Sequence, residues 1–181
     1  MNIFLLLNIF CLTFFSVNAF STDISVQLSY KAQTYIITGQ VILPKGVEQT
    51  VWEVLNDYEN IEKIVSSIQQ STVIIKGGEK YIEQRGKMTI LAIDISADLL
   101  LKVTEKPPVY IEFVDVSNKY FEYYKGSWSI DSKLTATLLS FSLTAKPKNI
   151  FMKFLLDIKL SGIIKGQLTD IKREIIWRMK K

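Results

Sequence analysis

Few residue types in this chain could do covalent chemistry. Histidine is absent, and the one cysteine, Cys11, falls in an apolar N-terminal stretch. Beyond that stretch neither residue occurs. This removes Ser-His-Asp and Cys-His nucleophile systems, zinc sites built from Cys and His, and disulfides. No metal or cofactor is expected. What is left is Arg85, the carboxylates Asp94 and Asp98, and the tyrosines Tyr120, Tyr123 and Tyr124. An arginine reaching into a cavity could fix a polar head group or a carboxylate. The same residue on a strand surface would pair with Glu83 or a cross-strand acid. Asp94 and Asp98 could form a carboxylate dyad only if buried, because acid–base work needs a raised pKa, and both sit among the polar alternates of their strand. A buried tyrosine hydroxyl could hydrogen-bond a ligand, although tyrosines are also ordinary strand formers. Trp128 shares its parity with Tyr124, Gly126 and Ile130, which reads either as a cavity floor or as a core layer. Trp52 follows Val51 and reads as a packing residue.

These residues must be positioned by a sheet and a helix. Tyr35 to Leu43 is rich in β-branched residues and ends at Pro44-Lys45-Gly46, a strand and a turn. Val47, Val51, Val54 and Leu55 have helical spacing, and Ile61, Ile64, Val65 and Ile68 suggest a second short helix. From about residue 71 to 145 the period becomes two. Leu91, Ile93, Ile95, Ala97, Leu99, Leu101 and Val103 alternate with residues such as Asp94, Ser96, Asp98, Lys102 and Thr104. One face is therefore buried and the other wet, as in an antiparallel sheet. Gly77-Gly78, Pro107-Pro108, Ser117-Asn118 and Asp131-Ser132 are turns between six strands near 71–76, 80–88, 90–104, 109–117, 120–130 and 134–145. With the first, the count is seven. Ile150 to Arg178 is one long helical pattern whose stripe runs through Leu156, Leu160, Ile164, Leu168, Ile171 and Ile175. Gly162 and Gly166 within it either let the helix approach the sheet or leave room beside it.

Residues 1–19 read as a secretory signal, with an uncleaved N-terminal anchor as the alternative. An apolar run, Ile3 to Phe15, precedes Val17-Asn18-Ala19, where a signal peptidase would cut. A single domain over residues 20–181 and a periplasmic or secreted location follow as expectations. Net charge is +4, yet ten basic and three acidic residues lie from Lys146 onward. This basic third suits an anionic membrane surface or a solvated helix face, and no nucleic-acid-binding signature accompanies it. Phe151, Phe154, Leu155 and Ile158 lie on a different side of the helix from its stripe, with Lys148 and Lys153 among them. Such a ring of lysines around apolar side chains suits peripheral membrane docking, or packing beneath a loop or partner.

Four segments, in order, resemble the polyketide cyclase/dehydrase-like, START-related superfamily (SRPBCC, including coenzyme Q-binding START-like proteins). They are Val51-Trp52-Glu53-Val54-Leu55-Asn56-Asp57-Tyr58-Glu59-Asn60, Gln84-Arg85-Gly86, Lys106-Pro107-Pro108-Val109-Tyr110-Ile111-Glu112-Phe113, and Tyr124-Lys125-Gly126-Ser127-Trp128-Ser129-Ile130. Ser66-Ser67 stands where many relatives carry a proline. The resemblance covers roughly 35–175 and implies an α+β helix-grip fold: a seven-stranded curved antiparallel sheet wrapped on a long C-terminal helix, with two short helices after the first strand. It also implies a cavity between helix and sheet for a lipid, quinone, sterol or polyketide.

The expected function is thus an exported protein that binds or transports a hydrophobic molecule. The expected lining is Arg85, Ile93, Ile95, Leu99, Leu101, Tyr124, Trp128, Phe141, Leu156, Leu160 and Ile164. One alternative is a cyclase or dehydratase acting on a polyketide-like substrate through Arg85 and Tyr124. Another is an interaction module without a cavity.

Overall fold

Alternation of apolar and polar residues builds the sheet, as period two requires. The computed structural model describes residues 23–90 and 93–181. The expected leader and its cleavage site, Leu91 and the Ile93 side chain lie outside the description. Eight strands form one antiparallel sheet: β1 (Ile24–Lys31), β2 (Thr34–Leu43), β3 (Ile68–Lys76), β4 (Glu79–Ile90), β5 (Ile93–Lys106), β6 (Tyr110–Asp115), β7 (Phe121–Ser132) and β8 (Thr137–Pro147). Helices α1 (Glu48–Asn56) and α2 (Ile61–Ile64) connect β2 to β3, and α3 (Ile150–Arg178) closes the chain. The strand order is β1-β2-β8-β7-β6-β5-β4-β3, a meander after the early helices. This is the helix-grip fold.

Strand β1 is additional to the seven strands expected from the sequence. Ile24, Val26, Leu28 and Tyr30 alternate there, but the hairpin to β2 turns through Ala32 (φ 49°) and Gln33 (φ 62°). Left-handed turn positions normally announce themselves as Asn-Gly or Asp-Gly, and this pair does not. Gly77 and Gly78 do occupy that region, at φ 61° and 80°. The second short helix is also briefer than its apolar spacing implied. It ends at Ile64, Val65 is extended, and β3 begins at Ile68.

Helix α3 starts where Asn149 caps it, its side chain accepting the Met152 N–H at 2.8 Å. It packs mainly on β1 and β2, with further contacts to β8, α1 and α2. Leu156, Leu160, Ile164, Leu168, Ile171 and Ile175 are all buried, so the apolar stripe is the buried face. Close approach occurs at Gly39 of β2, where a Cβ would come within 2.6 Å of Leu168 Cδ1. Gly126 of β7 plays the matching part inside the sheet's concavity, since a Cβ there would sit 2.3 Å from Phe113 Cζ. By contrast, nothing lies within 4 Å of a Cβ built on Gly162 or Gly166. Those glycines leave room beside the helix.

Candidate functional site

Because α3 leans on the β1-β2-β8 side, the concave face of β4 to β7 is covered partly by α1 and α2, and a cavity of about 110 Å³ remains. Ile82, Leu101, Val103 and Ile111 form its apolar wall, with Phe113, Trp128 and Phe141 as its aromatic one. Trp128 and Phe141 lie with ring centroids 4.6 Å apart, and Phe113 stacks on Phe141 at 6.3 Å. Leu55, Tyr58, Ile61 and Val65 close it from α1, α2 and their flanks. From α3 come Gln167 and Ile171.

Of the expected residues, Leu101, Tyr124, Trp128 and Phe141 line this cavity. Ile95 and Leu99 are partly buried against the core but are not among its lining. Leu156, Leu160 and Ile164 are buried on α3 yet lie outside the cavity, because that part of the helix is pressed against the sheet rather than standing off it. Arg85 is a correction. It alternates with the lining residues Ile82 and Gln84, so its side chain leaves on the outer face. There its Nε donates to Asp98 at 2.7 Å, half exposed, while Lys119 approaches the same carboxylate at 3.2 Å. These pairings hold the Asp98 carboxyl below the usual carboxylate range. Asp94 is likewise exposed and paired, to Lys87 at 2.6 Å. Asp94 and Asp98 therefore form no dyad. Among the described residues no cluster of three or more His, Cys, Asp or Glu side chains could hold a metal ion.

The polar groups at the cavity divide into satisfied and unsatisfied sets. At one end Glu105 Oε1 is the meeting point of three donors: the Tyr58 hydroxyl at 2.7 Å, Lys80 Nζ at 2.6 Å, and the Asn56 amide at 2.9 Å when turned so that it also accepts from Trp52 Nε1. Burial and the hydrogen bond to Glu105 push the Tyr58 phenol well above its ordinary value. Nearby, Arg178 binds Asp57 and Glu174, each at 2.7 Å. At the other side, the segment after α2 is tied to α3. The Ser66 N–H and hydroxyl donate to buried Asp170 (2.9 and 2.7 Å), and Gln167 donates to the Ser67 hydroxyl (3.0 Å). Beyond Gln167 lies an open groove of about 500 Å³ between α3 and the end of β4, bordered by Met88, Lys87, Ile158, Gly162 and Gly166.

Tyr124 lines the cavity between Phe121 (4.8 Å) and Phe113 (6.3 Å), and its hydroxyl has no hydrogen-bond partner among the described residues. Burial, and secondarily the charge of Asp115, push its phenol up to about 12. Asp115 itself is buried beside the site, without lining the cavity, and shares a parity with the lining residues Ile111 and Phe113.

No curated protein matches the sequence. Solved structures do match in fold. A STAR-related lipid transfer protein fragment from Xanthomonas axonopodis superposes with a TM-score of 0.67 at 12% identity, covering 86% of this chain and 94% of that one. The Zhui aromatase/cyclase from Streptomyces sp. R1128 gives 0.68 at 12% identity, covering 81% and 96%. The di-domain ARO/CYC StfQ of the steffimycin biosynthetic pathway gives 0.65 at 12% identity, with 82% of this chain covered, and this chain spans only 52% of that protein. At such identities the likeness speaks for the fold alone. The sequence itself carries the profile of a family over residues 48–172, more than half its length, and the chain belongs to that family: polyketide cyclase / dehydrase and lipid transport.

Proposed function

We propose that this chain is an exported protein that binds or carries a hydrophobic small molecule, of lipid, isoprenoid or quinone type, in the cavity between α3 and the sheet. The observation that carries this reading is an internal space walled by Leu101, Phe113, Trp128 and Phe141, where a packed core would have none. Removing roughly 200 Å² of ligand surface from water would contribute ~5 kcal/mol without any catalytic group. The cavity is smaller than the roughly 300–1,000 Å³ usual for ligand pockets. Cargo must therefore widen it, and the seam between Gln167 and Ser67 is the side where a groove already waits. To test the reading, the protein is expressed with its leader, purified from the envelope or medium, and extracted for mass spectrometry. A bound apolar molecule is the expected result. An empty protein that also fails to take up a fluorescent fatty acid or quinone would overturn it.

Cargo is collected at the N-terminal end of α3. Phe151, Phe154 and Ile158 are each half exposed or more, and they run along α3 towards the groove at Gly162 and Gly166. Leu155, expected to join them, is buried and serves the core instead. Lys148, Lys153 and Lys159 flank the stripe, although Lys153 also pairs with Asp157 at 2.6 Å and Lys148 reaches the Asn118 carbonyl. Apolar side chains beside cations suit an anionic membrane surface, where each cation adds about 1 kcal/mol. No described helix is long and apolar enough to cross a membrane.

A cyclase or dehydratase reading is favoured by one observation, the unpaired Tyr124 hydroxyl facing the cavity. Arg85, on the opposite face of the sheet, has no part in it. Loss of turnover on a polyketide-like substrate in Tyr124→Phe, with unchanged melting, is the result it requires.

A further inference from the structure

The inner row of the sheet that contains Tyr124 holds a second polar group with nowhere to bond. Asp115 is 6% exposed. Its Oδ1 accepts the N–H groups of Ser117 (3.0 Å) and Leu100 (3.2 Å), which fixes the start of the β6–β7 loop. Its Oδ2 is buried and has no hydrogen-bond partner among the described residues. Leaving a charged oxygen unpaired costs more than leaving a neutral one, so such an atom calls for an explanation.

The register says where it points. Leu101 of β5 pairs with Asp115, and the β6–β7 register, which pairs Phe113 with Gly126 and Val114 with Lys125, sets Tyr124 opposite Asp115 one residue further on. Asp115 therefore stands between two cavity-lining side chains, Leu101 and Tyr124, on the same face of the sheet, directly behind the present wall of the cavity rather than in its lining, where the widening that cargo requires would reach it. Directly opposed residues in antiparallel strands have Cβ atoms about 5 Å apart. Two groups at that spacing, one a carboxylate oxygen and one a phenol, have no hydrogen-bond partner among the described residues, beside a wall that is mainly apolar.

We infer that Asp115 and Tyr124 form the polar anchor of the ligand site, and that it takes an apolar molecule bearing a neutral hydroxyl. This rests on the ligand-binding reading above. A hydroxyl donates one bond and accepts others, so it can give its proton to Asp115 Oδ2 while receiving the Tyr124 phenol's. A carboxylate would be repelled by Asp115 in a space without a compensating cation. An ammonium could satisfy Asp115 but would leave the phenol without an acceptor. A plain hydrocarbon would satisfy neither.

The test uses the purified full-length protein and four probes of one chain length: an n-alkanol, the n-alkane, the fatty acid and the 2-ketone. Each displaces a fluorescent lipid while melting is followed separately. The alkanol should bind at least tenfold more tightly than the alkane, the size expected for a hydrogen bond to a charged group. Tyr124→Phe should reduce that advantage and leave alkane affinity unchanged. Asp115→Asn keeps an oxygen for the Ser117 and Leu100 amides but turns Oδ2 into a donor, so preference should move from alkanol to ketone. Equal affinity for alkanol and alkane, or an alkanol preference unchanged in Asp115→Asn, would overturn the anchor and leave hydrophobic binding standing. Failure of the folded wild type to bind any of the four would overturn both.

Discussion

Gln167 and Ser67 share one neutral hydrogen bond of 3.0 Å, and Gln167 borders both the inner cavity and the outer groove. The Glu105 side is held by a carboxylate with three donors and Ser66 by two bonds to the Asp170 carboxylate, so the Gln167–Ser67 bond is the one neutral tie between cavity and groove. A neutral side-chain bond contributes about 1 kcal/mol.

Gln167→Ala should therefore speed both uptake and release of a fluorescent lipid by severalfold while lowering stability by about 1 kcal/mol. Stopped-flow mixing with lipid-loaded vesicles measures it. Unchanged rates in a folded variant would place the opening elsewhere.

Changing Phe151 and Phe154 to Ser should abolish cosedimentation with anionic liposomes without loss of melting temperature, because both side chains are already largely in water. Wild-type association should weaken as salt is raised. Salt-independent association, or none, would remove the docking reading and leave the cavity untouched.

The alkaline titration carries a signed expectation. Folding raises the Tyr124 phenol from 10.0 to about 12, favouring its neutral form. Its contribution to stability is present in full below pH 10 and is lost as pH rises through about 12. Tyr58 and Tyr35 are raised further, each by burial first and then by a carboxylate neighbour, Glu105 and Asp157 respectively. Tyrosinate absorbance should show these three ionising late, and Tyr124→Phe should delete the step near 12. A step lost near 10 instead would mean that water reaches the hydroxyl freely.

Replacing Ala32-Gln33 by Asn-Gly should stabilise the β1–β2 hairpin. Both residues hold positive φ, at about 1–2 kcal/mol each for side chains unsuited to it. A gain of about 1–2 kcal/mol in chemical denaturation is expected. No gain would mean that the turn relaxes in solution.

That turn also shows why part of the fold was hidden. β1 carries its alternation openly, but the punctuation that would separate it from β2 is missing, so the hairpin did not read as two strands. Where punctuation was present, at Gly77-Gly78 or before Ile150, the elements fell where the sequence put them. The site was legible in the same uneven way. Parity placed Leu101, Tyr124 and Trp128 on the inner face, and of the two places open to Arg85 the structure takes the strand surface, paired with a cross-strand acid. Leu156, Leu160 and Ile164 were misplaced because a helical stripe tells which face is buried, not whether the surface beneath it is sheet or space. That depends on α3 leaning towards β1 and β2, a tertiary choice. Asp115 was missed because a carboxylate in an alternating strand looks like a strand end, and only its unpaired oxygen marks it as more.

The close approach at Gly39 has a mechanical consequence. A helix of 29 residues is about 43 Å long, and Leu168, seated against that glycine, divides it unequally. Phe151 lies 17 residues to one side, about 25 Å away, whereas Ile171 lies three residues to the other, under ~5 Å. With Leu168 as fulcrum, a tilt of about 5° swings the far end by roughly 2 Å and the cavity end by less than ~0.5 Å. Helix α3 is thus a lever with its long arm at the exposed phenylalanines and its short arm at the cargo. A bulkier residue than glycine at position 39 would lift the fulcrum itself.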